Sequence, residues 1–94
     1  MERRTLMATY SSLPKARYVV QDLVRNNFKK DEIVVAIDHN TGEALLSLTT
    51  FADYLDYALH IVQHQKPGWV DATGQSPTIE YLDPERFQKV STLE

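Results

Sequence analysis

Cysteine is absent from the 94-residue chain, which excludes disulfides, thiolate nucleophiles, zinc ribbons and iron–sulfur clusters together. Glycine occurs only three times and never in a cluster, so neither a phosphate loop nor a dinucleotide fingerprint can be written into the sequence. With four prolines beside those glycines, collagen-like and low-complexity classes are also out. No stretch approaches the roughly 18–20 consecutive apolar residues that span a bilayer. The opening Met1-Glu2-Arg3-Arg4 lacks the apolar stretch of a secretory signal, so the expected setting is the cytoplasm, away from membranes. What is present is ordinary globular composition, 43% hydrophobic and 24% charged in 10.8 kDa. That suits one domain over residues 1–94, with 1–4 as an arm and 83–94 as a terminal helix or tail.

The net charge of −3 hides an asymmetry. Residues 1–30 carry seven Lys or Arg against two acids, a local charge of +5; residues 31–94 carry three against eleven, a local charge of −8. Such a split reads either as elements that intermix on one surface or as a basic edge for phosphates and an acidic face for a basic partner.

Periodicity orders the chain. Thr5–Tyr10 holds β-formers, and Ser11-Ser12 ahead of Pro14 is N-cap chemistry for a helix from Leu13 to about Asn27. Leu13, Ala16, Val20, Leu23, Val24 and Asn27 make its apolar stripe, with Lys15, Tyr18, Asp22 and Arg25 opposite. Ile33–Ile37 is an unbroken apolar run rich in β-branching and predicts a strand covered on both faces. Asp38–Gly42 is turn chemistry, and Glu43–Leu48 predicts the second arm of a hairpin. Thr49 or Thr50 is then expected to cap a helix with Phe51, Leu55, Ala58, Leu59 and Val62 on its stripe, ending before Lys66-Pro67-Gly68. Trp69-Val70 reads as a short extended piece, 72–77 as a loop, Thr78–Leu82 as a last strand, and Asp83-Pro84-Glu85 as the start of a short helix to about Thr92. The closing Leu93-Glu94 is read as a cloning remnant and carries no weight.

The order β-α-β-β-α-β predicts an α+β, ferredoxin-like fold: a four-stranded antiparallel sheet, two helices on one face, and a short C-terminal helix. If Ile33, Val35 and Ile37 face the helices, Val34 and Ala36 face away, joined by Met7, Leu45 and one of Ile79 or Tyr81. With Tyr81 taken as that last member, these five side chains form an apolar patch on an open sheet face, the expected interface of a homodimer or of an unidentified protein partner.

Catalytic chemistry is poorly served. Asp53/Asp56, Asp31/Glu32 and Asp83/Glu85 fall on a helix face or at element starts, where solvation or capping accounts for them, and Ser11 and Ser12 lack a placed base. His60 and His64 have the i, i+4 spacing of a metal pair, the weak candidates for a metal site, but sit on a polar helix face without the Glu of a zincin. No cofactor is expected, and no enzyme. Met7, Thr9, Leu45 and Ser47 on the central strands do not offer the stacking rings of an RNA platform. Arg3, Arg4, Lys15, Arg17 and Arg25 are the candidates for a DNA-binding strip. Trp69 reads as a core lid or interface anchor.

Two stretches resemble known families. Tyr10–Val35, with Ala16, Val20, Leu23, Phe28, Asp31, Ile33 and Val35 in register and Asn27 in place of a glycine, resembles the opening βαβ of heat-induced general stress proteins, which implies a non-enzymatic module. Residues 33–62, with Thr41-Gly-Glu-Ala-Leu-Leu-Ser-Leu-Thr-Thr-Phe-Ala-Asp-Tyr-Leu, are similar to the Phd/YefM antitoxins; that similarity implies a DNA-binding repressor with an acidic toxin-binding side. The first expectation is therefore an interaction or regulatory module, a small inhibitor of a larger protein included, and the second an antitoxin.

Overall fold

A computed structural model describes residues 2–76, 79 and 82–90. Five strands, β1 (Arg3–Tyr10), β2 (Ile33–Asp38), β3 (Ala44–Phe51), β4 (Trp69–Asp71) and β5 (Phe87–Lys89), form one antiparallel sheet in the order β4-β1-β3-β2-β5. Two helices, α1 (Leu13–Arg25) and α2 (Leu55–His64), pack on one of its faces.

Alternation assigns the faces. Leu6, Ala8 and Tyr10 of β1, Ile33 and Val35 of β2 and Leu46 and Leu48 of β3 meet Ala16, Val19, Val20 and Leu23 of α1 and Ala58, Ile61 and Val62 of α2 in the main core. Tyr10 is fully buried there and donates its hydroxyl proton to the Val62 carbonyl at 2.8 Å, tying β1 to the last turn of α2. Burial also pushes the Tyr10 phenol well above its ordinary pKa.

α1 starts where its sequence says. Ser12 accepts from the Lys15 backbone N–H through Oγ, at 3.4 Å, with Pro14 in the first turn. It stops through a Schellman clasp: the Phe28 N–H reaches the Leu23 carbonyl and the Asn27 N–H the Val24 carbonyl, both at 3.1 Å. That clasp requires Asn27 at φ 74°, the left-handed conformation glycine adopts most easily. Asn27→Gly should therefore stabilise the fold by roughly 0.5 kcal/mol, relief of strain outweighing the added chain entropy, as a shift in the urea midpoint at unchanged slope.

Five expectations are corrected. The sheet has five strands rather than four, and Thr49 and Thr50 are strand residues instead of helix caps, because β1 begins at Arg3 and ladders Arg3, Arg4 and Thr5 against Phe51, Thr50 and Thr49. Arg3 and Arg4 thus belong to a strand, not to an arm; α2 begins only after a 3-10 turn over Ala52–Tyr54. The fourth strand position, beside β1, is taken by Trp69–Asp71. Of the strand expected over Thr78–Leu82, Thr78, Glu80 and Tyr81 lie outside the described residues, and the Leu82 N–H closes a turn on the Ile79 carbonyl. The terminal helix is replaced: Asp83 caps one turn, receiving the Glu85 N–H at 2.9 Å, and the chain then runs extended as β5 along β2. The expected closing residues 91–94 lie outside the described residues.

Candidate functional site

The second sheet face carries the side chains the alternation predicted. Met7, Ala36 and Leu45 lie together there with Ile79, and Val34 packs against them. The face is not open, however. Leu82 and Phe87 from the chain's own C-terminal segment pack onto it, leaving Met7 and Leu45 each 5% exposed and Ala36 fully buried. Met7, Ala36 and Leu45 are core residues of the single chain, and Tyr81, the fifth expected member, lies outside the described residues. Two helices among the described residues cover one face, and the C-terminal segment packs across the other.

An ion pair fastens that segment. Arg86 donates from Nε to Asp38 Oδ1 and Oδ2 at 3.2 and 3.1 Å, and from Nη2 to Oδ2 at 3.0 Å, while its guanidinium lies 5.1 Å above the Phe87 ring. The His39 N–H reaches the Arg86 carbonyl at 2.7 Å, and the Val90 N–H the Val35 carbonyl at 2.8 Å. The Arg86 guanidinium, helped by the Asn40 N–H and the Thr41 side chain, holds the Asp38 carboxyl below the usual aspartate range. A lowered carboxyl contributes stability above its unfolded value, near 3.9, and loses it as pH falls through the folded value. Acid should thus loosen β5 first: amide protection at Phe87–Lys89 and His39 should fall as the pH drops below about 4, ahead of the main core. Asp38→Asn should show the same loosened segment at neutral pH. Loss of all protection in one step in both cases would mean that the pair does not act as a fastening.

The five basic candidates are not gathered. Arg3 pairs with Glu32 (2.8 Å), Arg4 with Glu2 (3.1 Å) and Arg25 with Asp22 (3.4 Å), and the Lys15 ammonium reaches the Lys66 carbonyl at 3.5 Å. Arg17 is half-buried, its Nε without a hydrogen-bond partner among the described residues. Arg3 opens the eight-residue β1, which runs about 23 Å by strand rise, and Lys15 lies in the first turn of α1 beyond its other end. Four of the five candidates thus meet an acid or a backbone carbonyl. His60 and His64 are exposed on α2, and among the described residues no group of three or more His, Asp or Glu side chains is placed to hold a metal. No helix among the described residues is long and apolar enough to cross a membrane.

A concavity among the described residues gathers aromatic side chains to which the sequence assigned no site role. At the end of the sheet where α1 finishes and α2 begins, a cleft of about 530 Å3 is lined by Phe28, Phe51, Tyr54 and Tyr57 with Arg3, Asn26 and Glu32. Such a volume accommodates an organic ligand. Phe28 is a floor, 6% exposed, with Tyr57 stacked 6.0 Å away at 26°; Phe51 and Tyr54 form a tilted pair at 6.3 Å. Tyr54 and Tyr57 each keep 50% of their surface exposed. The Tyr57 hydroxyl donates to Asn26 Oδ1, and the Asn26 amide donates to the Asp22 carbonyl at 2.7 Å, so the ring is tied to the end of α1. Arg3 lies across the cleft wall, its guanidinium 5.2 Å over Phe51 and its Nη2 on Glu32. The signal that could have found this cleft was present but scattered: Phe28, Phe51, Tyr54 and Tyr57 hold four of the chain's nine aromatic side chains, and only the Schellman clasp and the longer β3 bring them together.

A smaller groove of about 380 Å3 opens on the covered face, between the half-exposed Trp69 of β4 and Leu82 and Phe87 of the covering segment.

Fold and cleft define a small α+β domain, a five-stranded antiparallel sheet with two helices on one face and an aromatic cleft at one end. Comparison with protein-family models, with curated proteins and with solved structures finds no match for this chain.

Proposed function

We propose that the chain is a non-enzymatic interaction or regulatory module of ferredoxin-like architecture, acting in the cytoplasm, whose working surface is the aromatic cleft. The order β4-β1-β3-β2 with helices after β1 and β3 supports the architecture, β5 being an added edge strand. The observation that carries the function is the pair of half-exposed tyrosines, Tyr54 and Tyr57, held over Phe51 and Phe28 beside a braced arginine. Rigid aromatics and Arg around a depression are the residue types that dominate binding surfaces. Pairing of two copies through the sheet face would require Leu82 and Phe87 to leave it, which favours the cleft as the surface that meets a partner.

Photo-crosslinking tests the placement. Benzoylphenylalanine at Tyr57 should give a discrete adduct in cells, whereas the same group at Asn40, in the hairpin turn, should not. Equal adducts at both positions would sink the cleft reading, and adducts to nucleic acid at Arg17 would favour the antitoxin-like alternative.

A further inference from the structure

We infer that the cleft recognises a planar aromatic ring bearing a carboxylate. This rests on the cleft being the working surface and adds the chemistry of its occupant. The rings of Tyr54 and Tyr57 present half-exposed faces above the Phe28 floor, and a flat apolar group is what such walls complement. Arg3, Lys29, Asp31 and Glu32 are the charged residues of the lining, and Arg3 is the cation whose guanidinium is stacked on one of the cleft's rings. Its Nη2 is spent on Glu32 and its guanidinium face rests on Phe51, so the group is held on two sides before any ligand arrives. Its side chain is still 51% exposed, which leaves the rest of a five-donor fork for an incoming acceptor.

Glu32 does not compete for that role. Its side chain is 11% exposed, with Oε2 receiving Arg3 and Oε1 the Lys29 N–H at 3.0 Å, so both oxygens are occupied as a brace. A carboxylate arriving at Arg3 meets a preorganised donor, which strengthens a charge-assisted bond by sparing the ordering cost of a free side chain. Two sources share this chemistry: a free aromatic acid, and the C-terminal aromatic residue of a partner chain.

Amide spectra of the labelled protein, titrated with four probes, separate the outcomes. Indole-3-acetate and N-acetyl-Gly-Trp carry ring and carboxylate; N-acetyl-Gly-Trp-amide and tryptamine carry the ring alone or with a cation. The inference expects shifts confined to residues 2–4, 26–32 and 50–57, dissociation constants of roughly 0.1–1 mM, and about tenfold weaker binding of the amide and the amine. Arg3→Gln should erase the preference for the acids while leaving ring binding, Tyr57→Leu should weaken all four probes, and Tyr18→Leu, on the exposed face of α1, should change nothing. Tight binding of indole-3-acetate alone assigns a small molecule, and equal binding of the acidic peptide assigns a chain end; either supports the inference. Equal binding of acids, amide and amine overturns it and leaves the cleft as a binding surface. No shift with any probe overturns both.

Discussion

Met7→Asp should lower the unfolding free energy by about 3–5 kcal/mol, read as a fall in the urea midpoint. Met7 is 5% exposed between Leu45 of the sheet and the covering segment, and the cation that lines the same groove, Arg86, is already engaged by Asp38. Protonation offers partial escape, so the loss should shrink at acid pH. Against a total stability of roughly 5–15 kcal/mol for a domain of this kind, the variant is close to unfolded at physiological temperature. The opposite result is equally informative. A loss under about 1 kcal/mol, with a dimer becoming a monomer in light scattering, would mean that the face pairs two copies and that Leu82 and Phe87 do not cover it in solution.

Phe28→Ala should cost about 3–4 kcal/mol, because a ring 6% exposed is deleted from the place where the α1 clasp, the sheet end and the cleft floor meet. Tyr57→Leu, one ring higher, should cost only about 1 kcal/mol: it loses the stack on Phe28 and the bond to Asn26, but its position is already half solvated. The contrast divides the cleft into a floor that maintains the fold and a rim free to bind. Comparable losses for the two variants, measured by the same urea titration, would mean that the rim too is structural and would weaken its assignment as a working surface.

Much of this architecture was legible locally. Ser12 and Pro14 start α1 through interactions within four residues, the β-branched run Ile33–Ile37 makes a strand by its own propensity, and Gly42 turns the hairpin at φ 77°. The two-residue period separated Ile33, Val35 and Ile37 from Val34 and Ala36 correctly, and it put Met7 and Leu45 on the same side as the latter pair. Where the reading failed, a distant segment decided. Thr49 and Thr50 have the chemistry of caps, yet the ladder with Arg3–Thr5, more than forty residues away in sequence, extends β3 through both. Asp83-Pro84-Glu85 does start a turn, but Arg86 and Phe87 are drawn to Asp38 and to the apolar face, and that attachment outweighs a short helix with little to bury.

The sequence by itself determined the α+β class, the absence of cysteine and of a phosphate-loop motif, the order of its first elements, and which residues share each side of its sheet. Hydrophobic periodicity and capping act over a few residues and are written in the local order. Tertiary structure alone decided that the second face is covered by the chain's own C-terminal segment, that Arg3 is paired with Glu32, and that four separated aromatics converge beside Arg3. Each of these depends on contacts between segments tens of residues apart, whose free energy comes from burial and ion pairing in three dimensions and leaves no period in the sequence.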